Sequence, residues 1–397
     1  MSSNLTIEKL VYGGDGLGRI DGQVVLAPYV LPGERVSVET IRAKTGLLRG
    51  SSLEVLQGSP HRIEPRCEYF GACGGCHYQH ADYEFQLEQK ITILRETLQR
   101  LGKIVHDEDI PVISGEPWFY RNRVQLHFAG RESGFYRHGS HQLCAIDHCY
   151  ISAPILVDAI ARIRDAVKRP EWPSFIHSLE LFTNGNELQL NVVDSSRPVA
   201  ARFFDWCASF LPSLVPGAIE YAAAGQRFRI SGGSFFQVNR FLVDALIDEV
   251  LSDSTGNHAA DLYAGVGLFS LPLARRFKRV EAVERGGSAY RDLELNIERS
   301  GQAIQAIRSP AETYIAGQQD EPDLLVMDPP RSGLGPQTME AILALKPVRL
   351  TVVSCDPATL ARDSRKLLGE YRIRRIALID LFPQTYHFET VMHLQRR

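Results

Sequence analysis

The stretch HAADLYAGVGLFSLPLARRFKRVEAVE, residues 258–284, constrains this chain more than any other. It reads as an apolar strand, a glycine loop, a helix and a second apolar strand that ends in an acid. From about residue 225 onward strands alternate with helices in this way, the pattern of a parallel sheet covered by helices. Gly265 and Gly267 let the chain turn tightly after the first strand and let its backbone approach a ligand closely. Glu284 follows Gly265 by nineteen residues, the distance at which an acid closing the second strand reaches ribose hydroxyls. Position 270 is serine, where a dinucleotide fingerprint has its third glycine. A ligand with a ribose and no phosphates therefore fits better than a dinucleotide. S-adenosylmethionine is such a ligand, and NAD is the rival.

The rest of the 397 residues is organised differently, and a chain of this length is expected to form two or three domains. In residues 1–60, short β-rich runs are separated by GGDG, DG and PGE turns, which suggests a five-stranded barrel of the OB type. DYEFQLEQKITILRETLQRLG reads as a helix with an apolar stripe of Leu87, Ile91, Leu94, Leu98 and Leu101, capped by Gly102. YRNRVQLHFAG and SLELFTNGNELQLNVVD read as strands, the second a hairpin about an Asn-Gly turn. The expected divisions are 1–60, 61–220 and 221–397. No apolar run of eighteen residues is present, so no membrane span is expected. The N-terminus shows no secretory pattern, and the cytoplasm is the expected location. A net charge of −3 gives no whole-chain attraction to nucleic acid, but it leaves room for a local basic face.

Seven cysteines, an odd number without an export signal, point to metal or catalytic roles rather than disulfides. Cys67, Cys73 and Cys76 have the spacing C-x5-C-x2-C with glycines between them, which lets the backbone fold around one metal centre. A fourth ligand must come from elsewhere. Cys149 is the preferred donor and Cys144 the next. Zinc, using His77 or His80, and an iron–sulfur cluster both suit the spacing, and all-thiolate ligation favours [4Fe–4S].

Three more residues fall at strand ends. Asp328 closes the strand of DLLVMDPPR, and two prolines stiffen the loop after it. Cys355 follows the run RLTVVS and precedes the helix PATLARDSRKLL. It therefore lies on the edge where ligands gather in an open parallel sheet, near a helix N-terminus whose partial positive charge favours thiolate. Beside a methyl donor, a thiolate has a specific use. Carbon 5 of uracil is a poor nucleophile until sulfur adds at carbon 6, and a base must afterwards remove the carbon-5 proton. Glu389, in FPQTYHFETVMHL, offers that base, with His387 as a competitor.

GGSFFQVN, DLYAGVG, VMDPPRSGL, SCDPATLARD and FPQTYHFETV together resemble the RNA 5-methyluridine methyltransferases, which use S-adenosylmethionine. The resemblance covers nearly the whole chain and implies an α/β fold: a C-terminal Rossmann-like class I methyltransferase domain, an N-terminal TRAM barrel and an α+β central domain carrying a [4Fe–4S] cluster. By position it implies Cys355 as nucleophile and Glu389 as base. Gln237, Tyr263, Gly265, Gly267, Glu284 and Asp328 would serve the cofactor, and Cys67, Cys73, Cys76 and Cys149 the cluster. Leu268 and Gln384 depart from the family, standing where some relatives have a polar cofactor contact and a histidine. The barrel and cysteines together resemble the branch acting on 23S rRNA rather than the one acting on transfer RNA, and a monomer is expected. A target uridine would have to leave its stack to reach Cys355. The alternatives are N-methylation through the DPPR loop, and an RNA-binding or redox module without catalysis.

Overall fold

A computed structural model describes residues 2–44, 46–252 and 254–397. The first five strands, β1 (Ser2–Leu10), β2 (Gly16–Ile20), β3 (Gln23–Ala27), β4 (Arg35–Lys44) and β5 (Leu47–Gln57), close into a barrel in the order β1-β2-β3-β5-β4. Alternate residues point inward, so Leu5, Ile7, Val25, Ala27, Val36 and Val38 fill it. The glycine-punctuated pattern thus folds as expected.

Next come α1 (Tyr83–Thr97), β6 (Val112–Ile113), β7 (Arg123–Ala129), β8 (Glu132–Tyr136), β9 (Leu143–Ala145), α2 (Pro154–Ala166), β10 (Ile176–Thr183), β11 (Leu188–Ser195) and α3 (Ala201–Phe210). Strands β11-β10-β7-β8-β9 form an antiparallel sheet, with Gly185 of the Asn184-Gly185 turn in the left-handed region at φ 100°. Leu126, Leu156, Ile160, Ile163, Leu179, Leu181 and Cys207 make its core with α2 and α3.

A hairpin of β12 (Ile219–Ala223) and β13 (Gln226–Ile230) leads into α4 (Val243–Val250). The C-terminal elements are then β14 (Gly256–Leu262), α5 (Ser270–Leu273), β15 (Phe277–Glu284), α6 (Gly287–Ser300), β16 (Ile304–Arg308), α7 (Ala311–Ala316), β17 (Leu324–Met327), α8 (Pro336–Leu345), β18 (Arg349–Ser354), α9 (Pro357–Leu367), β19 (Tyr371–Ile379) and β20 (Glu389–Arg396). Eight strands run in the order β16-β15-β14-β17-β18-β20-β19-β6. Pairing is parallel from β16 to β18, and β20 runs antiparallel between β18 and β19. The strand order reverses at β14, so the crevice for a ligand opens beyond the carboxyl ends of β14 and β17.

Residues 61–220 contribute to two cores. Tyr78, Ile93, Leu94, Leu98, Ile104 and Ile110 pack with Leu325, Val352, Leu360 and Ile376 of the large sheet, and β6 pairs with β19 as its eighth strand. Helix α1 buries Leu94 and Leu98 of the expected stripe and leaves Leu87 and Ile91 half-buried. Its buried face is Phe85, Gln86, Lys90, Ile93 and Leu94, while Leu101 is 50% exposed. The last turn widens into a π-helical turn over Leu98–Gly102, which rotates the later residues off the stripe. The left-handed cap is Lys103, at φ 57°, not Gly102. Gly102 serves packing: a Cβ there would lie 3.0 Å from the Ala361 carbonyl of α9. Among the described residues, no helix is long and apolar enough to cross a membrane.

Candidate active site

Five expected residues gather on one edge of the large sheet because each ends or begins a strand there. Gly265 and Gly267 follow β14, Glu284 ends β15, Asp328 follows β17, and Cys355 follows β18. Glu389 begins β20, which runs the opposite way, so its start lies at the carboxyl end of β18. Ser354 pairs with Thr390, and one further step of that register sets Cys355 against Glu389. Residues thirty-four apart in the chain thereby come within electrostatic reach of each other.

The glycine loop is shaped as its sequence requires. Gly265 and Gly267 have φ of 58° and 96°. The φ of Gly267 is what requires glycine there, and a Cβ would in addition press on Leu271 Cδ1 at 2.8 Å. A Cβ at Gly265 would meet nothing within 4 Å, and the loop therefore faces open space. Glu284 accepts hydrogen bonds from the backbone N–H of Gly265 at 3.0 Å and of Gly286 at 3.3 Å, tying the end of β15 to the loop. Tyr263 is left-handed at φ 62°, and its ring packs at the margin of the sheet core. Gln237 lies between β13 and α4. Its carbonyl accepts from Asn122 Nδ2 at 3.0 Å, and nearby Asn239 donates to the Leu381 carbonyl at 3.2 Å.

Burial dominates the electrostatics. The Cys355 thiol is pushed up to about 11, first by burial and then by Glu389, Asp328 and Asp356, with Arg331 opposing them. This corrects the expected thiolate. The helix N-terminus is already occupied, because the Asp356 carboxylate accepts from the N–H groups of Ala358 at 2.8 Å and Thr359 at 2.9 Å. Glu389 is held well above the usual carboxylate range by burial and by Asp328, and Asp328 is raised by burial to about 7. His387 is lowered by burial to about 3, which leaves its ring neutral and a weak base.

A second site lies in the central part of the chain. Cys67, Cys73, Cys76 and Cys149 line one cavity of about 340 Å³ together with Tyr136, Arg137 and Tyr150. Burial raises the Cys67 thiol, raises Cys73 to about 12 and holds Cys76 well above the ordinary thiol range. His77 and His80, the rival ligands, do not line this cavity. Cys144 is buried in the core of the antiparallel sheet.

Residues 215–397 match the family described as tRNA (Uracil-5-)-methyltransferase, and residues 3–53 match the TRAM domain. An uncharacterized RNA methyltransferase from Aquifex aeolicus is 32% identical over 98% of this chain and 98% of its own length. A similarly described protein from Thermotoga maritima is 31% identical over 99% of each. The chain belongs to the RNA uracil-5-methyltransferase family. The crystal structure of Pyrococcus abyssi tRNA (uracil-54, C5)-methyltransferase, in complex with S-adenosyl-L-homocysteine, superposes with a TM-score of 0.79 at 24% identity. It covers 99% of this chain and all of that one, so the two share a fold from barrel to C-terminus.

As a uracil-5-methyltransferase the chain carries further charged residues near the carboxyl edge of the sheet whose surroundings only the fold reveals. Asp261, the last residue but one of β14, is fully buried; its Oδ2 accepts from Ser270 Oγ at 2.5 Å, while its Oδ1 has no partner among the described residues. The acid in DLYAGVG was its only signal. Arg331 is the cation whose field reaches Cys355, Glu389, Tyr12, Tyr386 and His387. Of the two departures from the family pattern, Leu268 is buried core, and Gln384 accepts from Gln86 Nε2 through its side-chain oxygen and donates to Gln86 Oε1 through its main-chain N–H, each at 3.1 Å.

Proposed function

We propose that this enzyme transfers a methyl group from S-adenosylmethionine to carbon 5 of a uridine in RNA, with Cys355 as nucleophile and Glu389 as base. The observation that carries the reading is the register of β18 on β20, which ends at the pair Ser354–Thr390 and leaves Cys355 and the buried Glu389 as the next residue on each side, close enough for the carboxyl to act on the thiol. Two features suit the cofactor: the open face of Gly265, and the orphaned Oδ1 of Asp261, an acceptor for an ammonium group. Gln237, Tyr263, Gly265, Gly267, Glu284 and Asp328 would hold it, and when bound it supplies an electrophilic methyl group on a sulfonium.

The Cys355 sulfur adds to carbon 6 of the uracil, breaking the 5,6 double bond and making an enolate whose carbon 5 takes the methyl group. Glu389 then accepts the carbon-5 proton, the C6–S bond breaks, the double bond returns and the thiolate leaves. Glu389 must reach this step unprotonated, so the sulfur proton is released to another acceptor, Asp328 or solvent. A raised carboxyl suits the task because a stronger base draws the carbon-5 proton more readily. Arg331 opposes the raising of both groups.

For the cysteine cavity we propose a [4Fe–4S] cluster on Cys67, Cys73, Cys76 and Cys149, which would tie the loop 67–76 to the segment around Cys149. Ligands of one tetrahedral zinc sit about 3.8 Å apart. Among the described residues, the only grouping of three ligand atoms within 4.8 Å is Glu68, Asp147 and His148, with no cysteine in it. Thiols that share a cavity without such close convergence suit a larger centre.

The substrate proposed is 23S rRNA, with the enzyme acting as a monomer in the cytoplasm. Transfer RNA is a second reading, favoured by the full-length fold match to the Pyrococcus abyssi tRNA enzyme, since barrel and central domain do not by themselves separate the two classes. Labelled cofactor with unmodified 23S rRNA and with tRNA decides between them. The chemistry is tested with 5-fluorouridine RNA, whose carbon 5 has no proton to give. Wild type is expected to form a covalent adduct and Cys355→Ala none, whereas Glu389→Gln is expected to accumulate the adduct even on ordinary RNA. Label at a base nitrogen, or methylation that survives Cys355→Ala, would sink the reading.

A further inference from the structure

By its sequence the turn between β1 and β2, Val11–Asp15, is a barrel turn. In the folded chain it reaches the nucleophile. The Tyr12 hydroxyl donates to the main-chain carbonyl of Cys355 at 2.7 Å, across 343 residues of sequence, and lies 3.5 Å from His387 Nδ1. Its ring meets Tyr386, His387 and Phe388 edge-on, at centroid distances of 5.3, 6.2 and 5.8 Å. One side chain from the barrel therefore bridges the loop before Glu389 and the residue that carries the thiol.

The contact is built rather than incidental. Val11 N–H donates to the Asp15 carbonyl at 2.9 Å and Gly14 N–H to the Val11 carbonyl at 3.2 Å, which closes the turn. Gly14 has φ 93°, and a Cβ there would lie 3.1 Å from Tyr386 and 3.2 Å from His77, so the turn docks as closely as glycine allows. Leu10 is buried in the core of the large sheet, and Lys9 pairs with Glu96 of α1 at 2.6 Å. Burial raises the Tyr12 phenol further still from its ordinary value, so it remains a protonated donor wherever the enzyme works.

We propose that Tyr12 is a positioning residue for the methyl transfer. By holding the Cys355 carbonyl it fixes the backbone between β18 and α9, and with it the direction in which the thiol meets the uracil. The barrel is thus a structural part of the active site as well as an RNA-binding module. This rests on Cys355 acting as the nucleophile. A sulfur must approach carbon 6 within a narrow cone, and one hydrogen bond on its backbone restricts that approach without touching substrate.

The test is Tyr12→Phe in the full-length enzyme, which removes the hydroxyl and keeps the ring contacts. Adduct formation with 5-fluorouridine RNA is expected to slow roughly five- to tenfold, the kinetic value of one hydrogen bond. The RNA concentration giving half-maximal rate and the melting temperature should stay at their wild-type values. An adduct rate equal to wild type overturns the proposal. So does a slower rate accompanied by weaker RNA binding or a lower melting temperature, since either would make Tyr12 a binding or stability residue. If wild type itself forms no adduct, the failure lies with the role of Cys355 on which the proposal stands.

Discussion

Asp261 shows how a single buried acid ties stability to pH. It stands one residue before the end of β14, with one oxygen bonded to Ser270 and the other unpartnered among the described residues, and burial raises it from 3.8 to about 7, with Asp328 and Glu284 adding to the effect. A carboxyl whose pKa is higher folded than unfolded stabilises the fold in its neutral form. That contribution is complete below about 3.8 and is lost as pH rises toward about 7. Over this window the loss is on the order of a few kcal/mol. Asp261→Asn keeps an acceptor for Ser270 and removes the charge. Denaturant melts at pH 5 and pH 8 should therefore differ less in the variant than in wild type, although Asp328, also at about 7, keeps some dependence. Equal differences in the two proteins would show that Asp261 does not titrate in this window. The acid itself was visible in DLYAGVG, but its raised pKa was not, because burial is a property of everything packed around β14.

Helix α9 shows where a sound local rule met a competing one. A cysteine one residue before an N-cap reads as an activated thiol, yet the cap residue is an aspartate that takes the helix's free N–H groups and adds a negative charge beside the sulfur. Asp356→Ala should cost about 1 kcal/mol in stability through the lost cap. It should also lower the Cys355 thiol from about 11, by exposing the helix end and removing a neighbouring anion. Alkylation of Cys355 at pH 8, followed by peptide mass, is therefore expected to run severalfold faster in a less stable protein. An unchanged labelling rate would mean that burial alone sets the thiol. At the same scale, α1 was legible as a helix while its buried face was legible only in part, at Leu94 and Leu98. Gln86 and Lys90 turn inward because polar partners wait on the loop before β20: the Gln384 amide, and the Asp380 carboxylate at 2.6 Å.

Across the whole molecule, three separate parts of the chain converge on the loop that carries Glu389. The barrel sends Tyr12, and α1 sends Gln86 and Lys90. The cysteine loop sends the backbone N–H groups of His77 and Tyr78 to the Gln384 carbonyl, at 2.8 and 3.0 Å. Cys76 directly precedes these donors, so a centre bound at the cysteines would brace the same loop. Reconstituted without oxygen, wild type and Cys144→Ala should each hold roughly four iron atoms per chain. Cys149→Ala should hold fewer and be cut more readily by protease between residues 67 and 80. Iron retained in full by Cys149→Ala would move the fourth ligand elsewhere.

From the sequence alone came the kinds of elements, the barrel, the parallel sheet and the strand ends at which Gly265, Glu284, Asp328 and Cys355 stand. Each depends on near neighbours in the chain, through apolar period and turn chemistry, which one linear reading can follow. Only the tertiary structure decided that Cys355 lies within electrostatic reach of Glu389, that Tyr12 reaches both their loops, and that the thiol and the carboxyls are raised. Strand register and burial sum contributions from residues tens to hundreds of positions apart, and no local pattern carries that sum.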